Sequence, residues 1–195
     1  MKRIALALLA STAPAMAQDT RELDAHVHGV TEVQIAVDGT EVEIMLHAPG
    51  FDIVGFEHEA TGDADKAAVE AAVLKLGDAT AVVALNSAAG CALEDAEAEL
   101  HGKEHEEHAE GEDHEAHEEH AEGEDHDDHD GEQGGHSEFE AHYHFQCEAP
   151  DALTTVAFPF FDSFPNAEEI EAEFVTESGA GAAEVTRDAP ELTLK

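Results

Sequence analysis

The chain has 195 residues, and its 47 acidic residues against 8 Lys and Arg give a formal net charge of −39 at pH 7. Such a charge repels nucleic acid and anionic membrane surfaces, because the few basic residues are scattered and form no local patch. Cations are therefore the expected partners, and nucleic acid is not.

The N-terminus has the layout of a signal peptide. Lys2 and Arg3 precede an apolar run over residues 4–10, and small residues lead up to Ala17. The run is much shorter than the about 20 apolar residues that a membrane-spanning helix needs, so cleavage after Ala17 is expected in preference to an uncleaved anchor. The sequence predicts an exported, soluble mature chain, residues 18–195, that is periplasmic and not inserted in the membrane.

Alternating apolar residues predict a β-hairpin at the start of the mature chain. The core side of the first strand is expected to carry Val27, Val33, Ile35 and Val37, and that of the second strand Val42, Ile44 and Leu46. Asp38-Gly39 between them predicts a tight turn. From Asp63 to Gly77 apolar residues recur at helical spacing, which predicts a helix that packs on the sheet.

The composition changes abruptly over residues 101–136. This segment has no aromatic residue and no aliphatic residue larger than Ala, and it is dense in Glu, Asp, His and Gly. It cannot build a core, so we predict a single domain over 18–195 that is interrupted by a long disordered insertion. Residues 106–114 recur as 118–126 without any apolar face, which indicates an array of ligands and not a solenoid.

Further strands are predicted after the insertion. Phe139, Ala141, Tyr143, Phe145 and Cys147 alternate with polar residues, and shorter apolar runs follow at 153–158, at 170–174, near Val185 and at 192–194. The predicted fold class is therefore mainly β (α+β): an antiparallel sheet or sandwich with one or two helices.

The chain has two cysteines, Cys91 and Cys147. An even pair in an exported protein predicts a disulfide. Zinc ligation by thiolates is the less favoured alternative, because neither cysteine lies in a C-x-x-C motif. The bridge would link the residues before and after the insertion, which would then lie between two strands of a disulfide-linked domain.

Histidines make the insertion a predicted metal-binding segment. Nine of the 15 histidines fall in it: His101, His105, His108, His114, His117, His120, His126, His129 and His136. Imidazole is a ligand for zinc, copper, nickel and cobalt ions, and neighbouring carboxylates add oxygen ligands. An acidic solubilising linker needs charge but no imidazole at repeated places, and a calcium array needs only oxygen. Several loose sites, suited to a buffer or collector, are the preferred interpretation.

Histidines outside the insertion are predicted to form a better-defined site. His26 and His28 are expected on the polar face of one strand, and His142 and His144 on that of another, so each pair points to one side. If the strands are neighbours, the two pairs can close a four-ligand site; otherwise they are solvated surface histidines. Glu57-His58, in an expected loop, supplies a carboxylate and an imidazole or is merely exposed. His47 is expected to be structural.

Short motifs in a fixed order carry a family resemblance. They are Ala25-His26-Val27-His28-Gly29, Gly55-Phe56-Glu57-His58, Ala89-Gly90-Cys91, Tyr143-His144-Phe145-Gln146-Cys147 and Phe161-x-x-Phe164-Pro165. The chain resembles the ZrgA family of zinc-regulated periplasmic zinc-binding proteins. The resemblance implies a periplasmic protein that binds Zn²⁺ under scarcity and assists uptake beside a zinc ABC importer. It also implies metal contacts at His26, His28, Glu57, His58, His142 and His144, with the insertion as extra capacity.

Three other interpretations stay open at this point. Imidazole does not discriminate Zn²⁺ from Ni²⁺, Cu²⁺ or Co²⁺. The acidic segment could instead serve solubility or docking and bind metal weakly. A metal-dependent enzyme with Glu57 as the base is the third, but the sequence contains no nucleotide-binding motif, phosphate loop or Ser/His/Asp pattern, so we expect no enzymatic activity.

Overall fold

The computed structural model describes residues 27–102 and 137–194. The predicted signal peptide and His26 lie outside the described residues. So does nearly all of the predicted disordered insertion, with its eight histidines from His105 to His136. His101 is an exception. It was assigned to the insertion from composition, but it is the last residue of a strand.

Strands dominate the described residues. The strands are β1 (Val30–Asp38), β2 (Glu41–Pro49), β3 (Ala84–Leu85), β4 (Cys91–His101), β5 (Glu138–Cys147), β6 (Thr155–Ala157), β7 (Glu169–Thr176), β8 (Gly179–Thr186) and β9 (Glu191–Thr193). The α-helices are α1 (Gly50–Val54), α2 (Asp63–Leu76) and α3 (Phe160–Ser163). None of the helices described is long and apolar enough to span a bilayer.

The described strands form two sheets. The larger one has six strands in the order β4-β5-β2-β1-β7-β8, and the smaller one has the order β3-β6-β9. Neighbours are antiparallel except β1 and β7, which pair in parallel. The prediction of a mainly β fold with an antiparallel sheet and a few helices is confirmed, and the parallel pair is an addition to it.

The N-terminal hairpin forms as predicted, with one correction. Val33 lies opposite Leu46 and Ile35 opposite Ile44, and all four side chains are buried. The strands reverse at Gly39, whose φ of 58° lies in the left-handed region that glycine adopts without strain. Val27 is not part of the core face: it precedes β1 and is 66% exposed.

The buried apolar side chains of the described residues form one core on the inner face of the six-stranded sheet. Helix α2 packs there through Ala72 and Leu76, which confirms the predicted helix and its packing. Tyr143 of β5 is fully buried, and its hydroxyl donates to the carbonyl oxygen of Leu76 at 2.7 Å. This bond satisfies a carbonyl at the C-terminal end of α2, where helices leave such groups without an intrahelical partner.

Strand β4 and strand β5 form the hairpin that the insertion interrupts. Cys91 and Cys147 lie opposite each other in the register of this hairpin and form the predicted disulfide. The insertion leaves and rejoins the domain at the other end of the hairpin, where His101 lies opposite Glu138. We call these two junctions, at His101 and Ser137, the roots of the insertion. The bridge therefore closes the hairpin at the end remote from the insertion.

Candidate functional site

His28 and Glu57, two of the predicted metal ligands, lie next to each other. His28 Nε2 lies 2.9 Å from Glu57 Oε1. The His28 side chain is 56% exposed, whereas that of Glu57 is 13% exposed. The pair therefore presents an accessible imidazole beside a carboxylate that is mostly shielded from water.

Helix α1 and the glycine after it bring Glu57 to His28. The helix follows β2 directly and ends at Gly55, whose φ of 84° turns the chain back. Gly55 N–H donates to the Phe51 carbonyl oxygen at 2.9 Å, which closes the helix end. The imidazole of His28 stacks on the Phe51 ring, with 4.9 Å between centroids and 18° between planes.

Asp52 is a buried acid beneath this pair that the sequence patterns did not reveal. It is fully buried, and it accepts hydrogen bonds from Gly29 N–H at 2.6 Å and from the Thr31 hydroxyl at 3.2 Å. Burial raises the pKa of Asp52 above its ordinary value, because the hydrogen bonds and the charge of His28 only partly offset the desolvation. The only signal in the sequence is one acid inside an apolar run.

His58 lies next to Glu57 in sequence but has other partners. Its Nε2 is 3.4 Å from Asp65 Oδ2, in the first turn of α2. Its ring lies 4.5 Å from the Phe56 ring, tilted by 31°. The structure thus pairs Glu57 with His28, and His58 with Asp65. Metal binding by His58 stays a prediction.

His28 does not lie on a strand next to the one that carries His142 and His144, and its predicted partner His26 lies outside the described residues. His142 and His144 are on β5, on the sheet face opposite the core, and β2 separates β5 from β1. His28 is not on a strand, because β1 begins only at Val30 and the preceding residues form a turn. A four-ligand site across adjacent strands is therefore not the arrangement found.

Histidines from three strands surround Glu140, and we call these four residues the Glu140 cluster. His142 Nε2 contacts Glu140 Oε1, while His101 Nε2 and His47 Nδ1 lie 3.2 and 4.0 Å from Oε2. Burial by itself raises the pKa of Glu140, but the hydrogen bond with His142 and the charges of the three histidines together lower it. His47, expected to be merely structural, belongs to this cluster. His144 lies apart, 3.5 Å from Glu43.

A complete metal centre is not formed by the side chains described. In residues 27–102 and 137–194, no group of three or more His, Cys, Asp or Glu has an arrangement that could hold an ion. His28 with Glu57 offers one nitrogen and one oxygen ligand, both of types that zinc accepts. The ligand roles of His28, Glu57, His58, His142 and His144 accordingly stay predictions.

Both roots of the insertion adjoin these histidine and carboxylate groups. Ser137, where the chain leaves the insertion, is buried, and its carbonyl oxygen accepts from Gly50 N–H at 2.8 Å. A Cβ on Gly50 would collide with Ser137 Oγ and lie 2.7 Å from the Phe56 carbonyl oxygen, and the backbone contact makes a larger residue costly here. The other root, His101, is part of the Glu140 cluster. One root thus packs on α1, the helix that contacts His28.

Comparison with known proteins agrees with the resemblance in the motifs. The family model described as "ZrgA family zinc uptake protein" matches residues 25–194. The match begins just before the first histidine pair and continues to the penultimate residue, so it covers most of the 195 residues. No curated protein matches the chain.

Proposed function

The chain belongs to the ZrgA family of zinc uptake proteins, and we propose that it is a periplasmic zinc-binding protein that collects or buffers zinc and assists its uptake by an importer. In this proposal residues 1–17 are a signal peptide, and the mature protein works outside the cytoplasm. The disulfide between Cys91 and Cys147 supports that location, because such bridges persist in oxidising compartments.

The observation that carries the proposal is where the histidine-rich segment joins the domain. Its C-terminal root, Ser137, is bonded to Gly50 of α1, and the next residue of that helix, Phe51, stacks on His28. A metal ion held by the insertion close to this root would therefore be near the His28 and Glu57 pair. Nitrogen from His and oxygen from Glu are ligands that zinc uses.

We propose different tasks for the two regions. The insertion supplies many loose sites, and the strongly negative charge of the chain raises the local concentration of cations. The domain supplies the tighter site, built on His28 and Glu57, with His26 and His58 as further proposed ligands. His142 and His144, on β5, are proposed as separate metal contacts. A shielded carboxylate such as Glu57 attracts a dication more strongly than an exposed one does, because less water screens it.

The test is a zinc titration of residues 18–195 in competition with a chelator of known affinity. His28→Ala and Glu57→Gln should each weaken the tightest site by at least about tenfold, as losing one ligand or its orienting partner does elsewhere. His47→Ala is the matched control: it removes an imidazole that is not among the proposed ligands, and it should leave the tightest site unchanged.

One result would end the proposal. If the mature protein took up no more zinc than a comparably acidic protein, the chain would be an acidic interaction or solubility protein with weak metal binding. Parallel titrations with Ni²⁺, Cu²⁺ and Co²⁺, and the metal content of protein purified from its native compartment, test the choice of zinc. The proposal is for a binding protein and not for an enzyme.

A further inference from the structure

We propose that two consecutive side chains of α1, Phe51 and Asp52, are positioning residues that hold the His28 imidazole toward Glu57 for metal binding. This inference rests on the proposed function, since it concerns the same site. It adds two residues that were not among the predicted ligands. Neither residue need touch the ion, because both act through His28 and the backbone beside it.

Asp52 fixes the backbone next to His28. Its Oδ1 accepts from Gly29 N–H at 2.6 Å, while the Gly29 carbonyl oxygen accepts from the N–H groups of Glu168 and Glu169, each at 2.9 Å. Both polar groups of Gly29 are thus bound, on opposite sides of the chain. With φ at 90°, Gly29 adopts a turn that other residues adopt only with strain. The direction in which the chain leaves Gly29 toward His28 is therefore set.

A carboxylate suits the position of Asp52. One side chain must accept a hydrogen bond from Gly29 N–H and another from the Thr31 hydroxyl, and the two oxygens of Asp52 do both. Complete burial of an acid is costly, and it raises the pKa of Asp52 even though both bonds are made. An apolar side chain would avoid that cost but would leave Gly29 N–H without its acceptor.

Phe51 fixes the ring itself. The His28 side chain is more than half exposed, so without a contact surface the imidazole would sample several rotamers in solvent. The near-parallel stack on Phe51 restricts these rotamers and leaves Nε2 facing Glu57 at 2.9 Å. Restricting a side chain before a ligand arrives removes an ordering cost from binding.

The experiment compares Asp52→Ala, Asp52→Asn and Phe51→Ala in the full mature chain. Zinc affinity is measured by chelator competition, and the His28 ring signals of the metal-free protein are followed by NMR after assignment with His28→Ala. Asp52→Ala and Phe51→Ala should weaken the tightest zinc site about 10- to 100-fold, the usual effect of losing a residue that orients a ligand. Both should also move the His28 signals toward those of a solvent-exposed histidine.

Two comparisons separate positioning from other effects. Asp52→Asn keeps an acceptor for Gly29 N–H without the charge, so it should restore most of the affinity lost in Asp52→Ala. Asp78→Ala is the matched control, because Asp78 also accepts from a backbone N–H and a threonine hydroxyl, both of Thr80, at 3.1 and 2.6 Å. It should leave zinc affinity and the His28 signals unchanged.

Two outcomes would overturn the inference. The first is wild-type zinc affinity in folded Asp52→Ala and Phe51→Ala, which would leave the proposed function intact. The second is an Asp52→Asn variant as weak as Asp52→Ala, which would show that charge and not position matters. If Asp52→Ala fails to fold, Phe51→Ala decides, since Phe51 is 38% exposed and its loss should be tolerated. Failure of the proposed function itself shows differently: wild type would then bind zinc no better than His28→Ala or an acidic control.

Discussion

Replacing both cysteines, Cys91→Ala with Cys147→Ala, should destabilise the mature protein by an amount that depends on the insertion. The bridge closes a sequence separation of 56 residues, most of which is the insertion. Where a disulfide acts by restricting the unfolded chain, a loop of this length contributes about 4 kcal/mol at 25 °C. Urea unfolding of metal-free protein, with and without the bridge, measures the difference in unfolding free energy.

Removing residues 103–136 provides the sharper part of this test. The deletion shortens the separation closed by the bridge to roughly 22 residues, which lowers its entropic contribution by about 0.8 kcal/mol. Loss of packing around the buried Cys147 sulfur is common to both backgrounds and cancels in the comparison. A bridge that stabilised the shortened chain as much as the full chain, or more, would refute the chain-entropy explanation. A total effect below about 1 kcal/mol would refute its magnitude.

Four further predictions concern metal capacity, acidity and the core. Deleting 103–136 should lower the number of zinc ions bound, measured by calorimetry, more than the affinity of the tightest one; losing all tight binding would contradict the division of tasks. Zinc loading should weaken as pH falls, because protons compete for imidazole, and titrations at several pH values test this. Tyr143→Phe should lower the unfolding free energy in urea by about 1–3 kcal/mol, since the buried Leu76 carbonyl loses its donor; no measurable change would contradict this. The fold lowers the pKa of Glu140, so its ionised form stabilises the protein at pH values above the ordinary pKa of a glutamate. This stability is lost as the pH falls through the folded pKa. In metal-free urea titrations the stability gap between wild type and Glu140→Gln should therefore close in acid, and a gap independent of pH would count against it.

The parts of the fold that the sequence predicted are those with a local pattern and a one-sided burial. The β1 and β2 hairpin, β5 and α2 each present apolar residues at the period of their element, and the core covers that face. The strand expected before the insertion could not be located in the sequence, because β4 alternates Ala with Glu, residues that favour helices, and buries little. Its pairing with β5 and the disulfide override that preference. The parallel pairing of β1 with β7 joins distant segments and leaves no local trace in the sequence.

The candidate site was predicted in its residue types but not in its arrangement. Histidine and glutamate are metal-ligating residue types, so His28 and Glu57 could be named from the sequence once the family motifs selected them. That they face each other depends on α1 and on the turn at Gly29, which put His28 in a corner and not on the predicted strand. Asp52 could not be predicted, because a single acid in an apolar run forms no sequence pattern. Its role is visible only in the structure, where its carboxylate oxygens accept hydrogen bonds from Gly29 and Thr31.

If ions pass from the insertion to the domain, the division of tasks sets a lower limit on the difference between their affinities. If each loosely held ion takes two imidazoles, the eight histidines within 103–136 make roughly four competing sites, whose number alone favours the insertion by about 0.8 kcal/mol. A domain site about tenfold tighter than each loose site gains about 1.4 kcal/mol and outweighs that number. The orientation of His28 by Phe51 and Asp52 and the shielding of Glu57 are contributions of this size. A collector therefore needs only a modestly pre-organised acceptor at its root, and a domain site no tighter than the insertion sites would leave the ions where they were first bound.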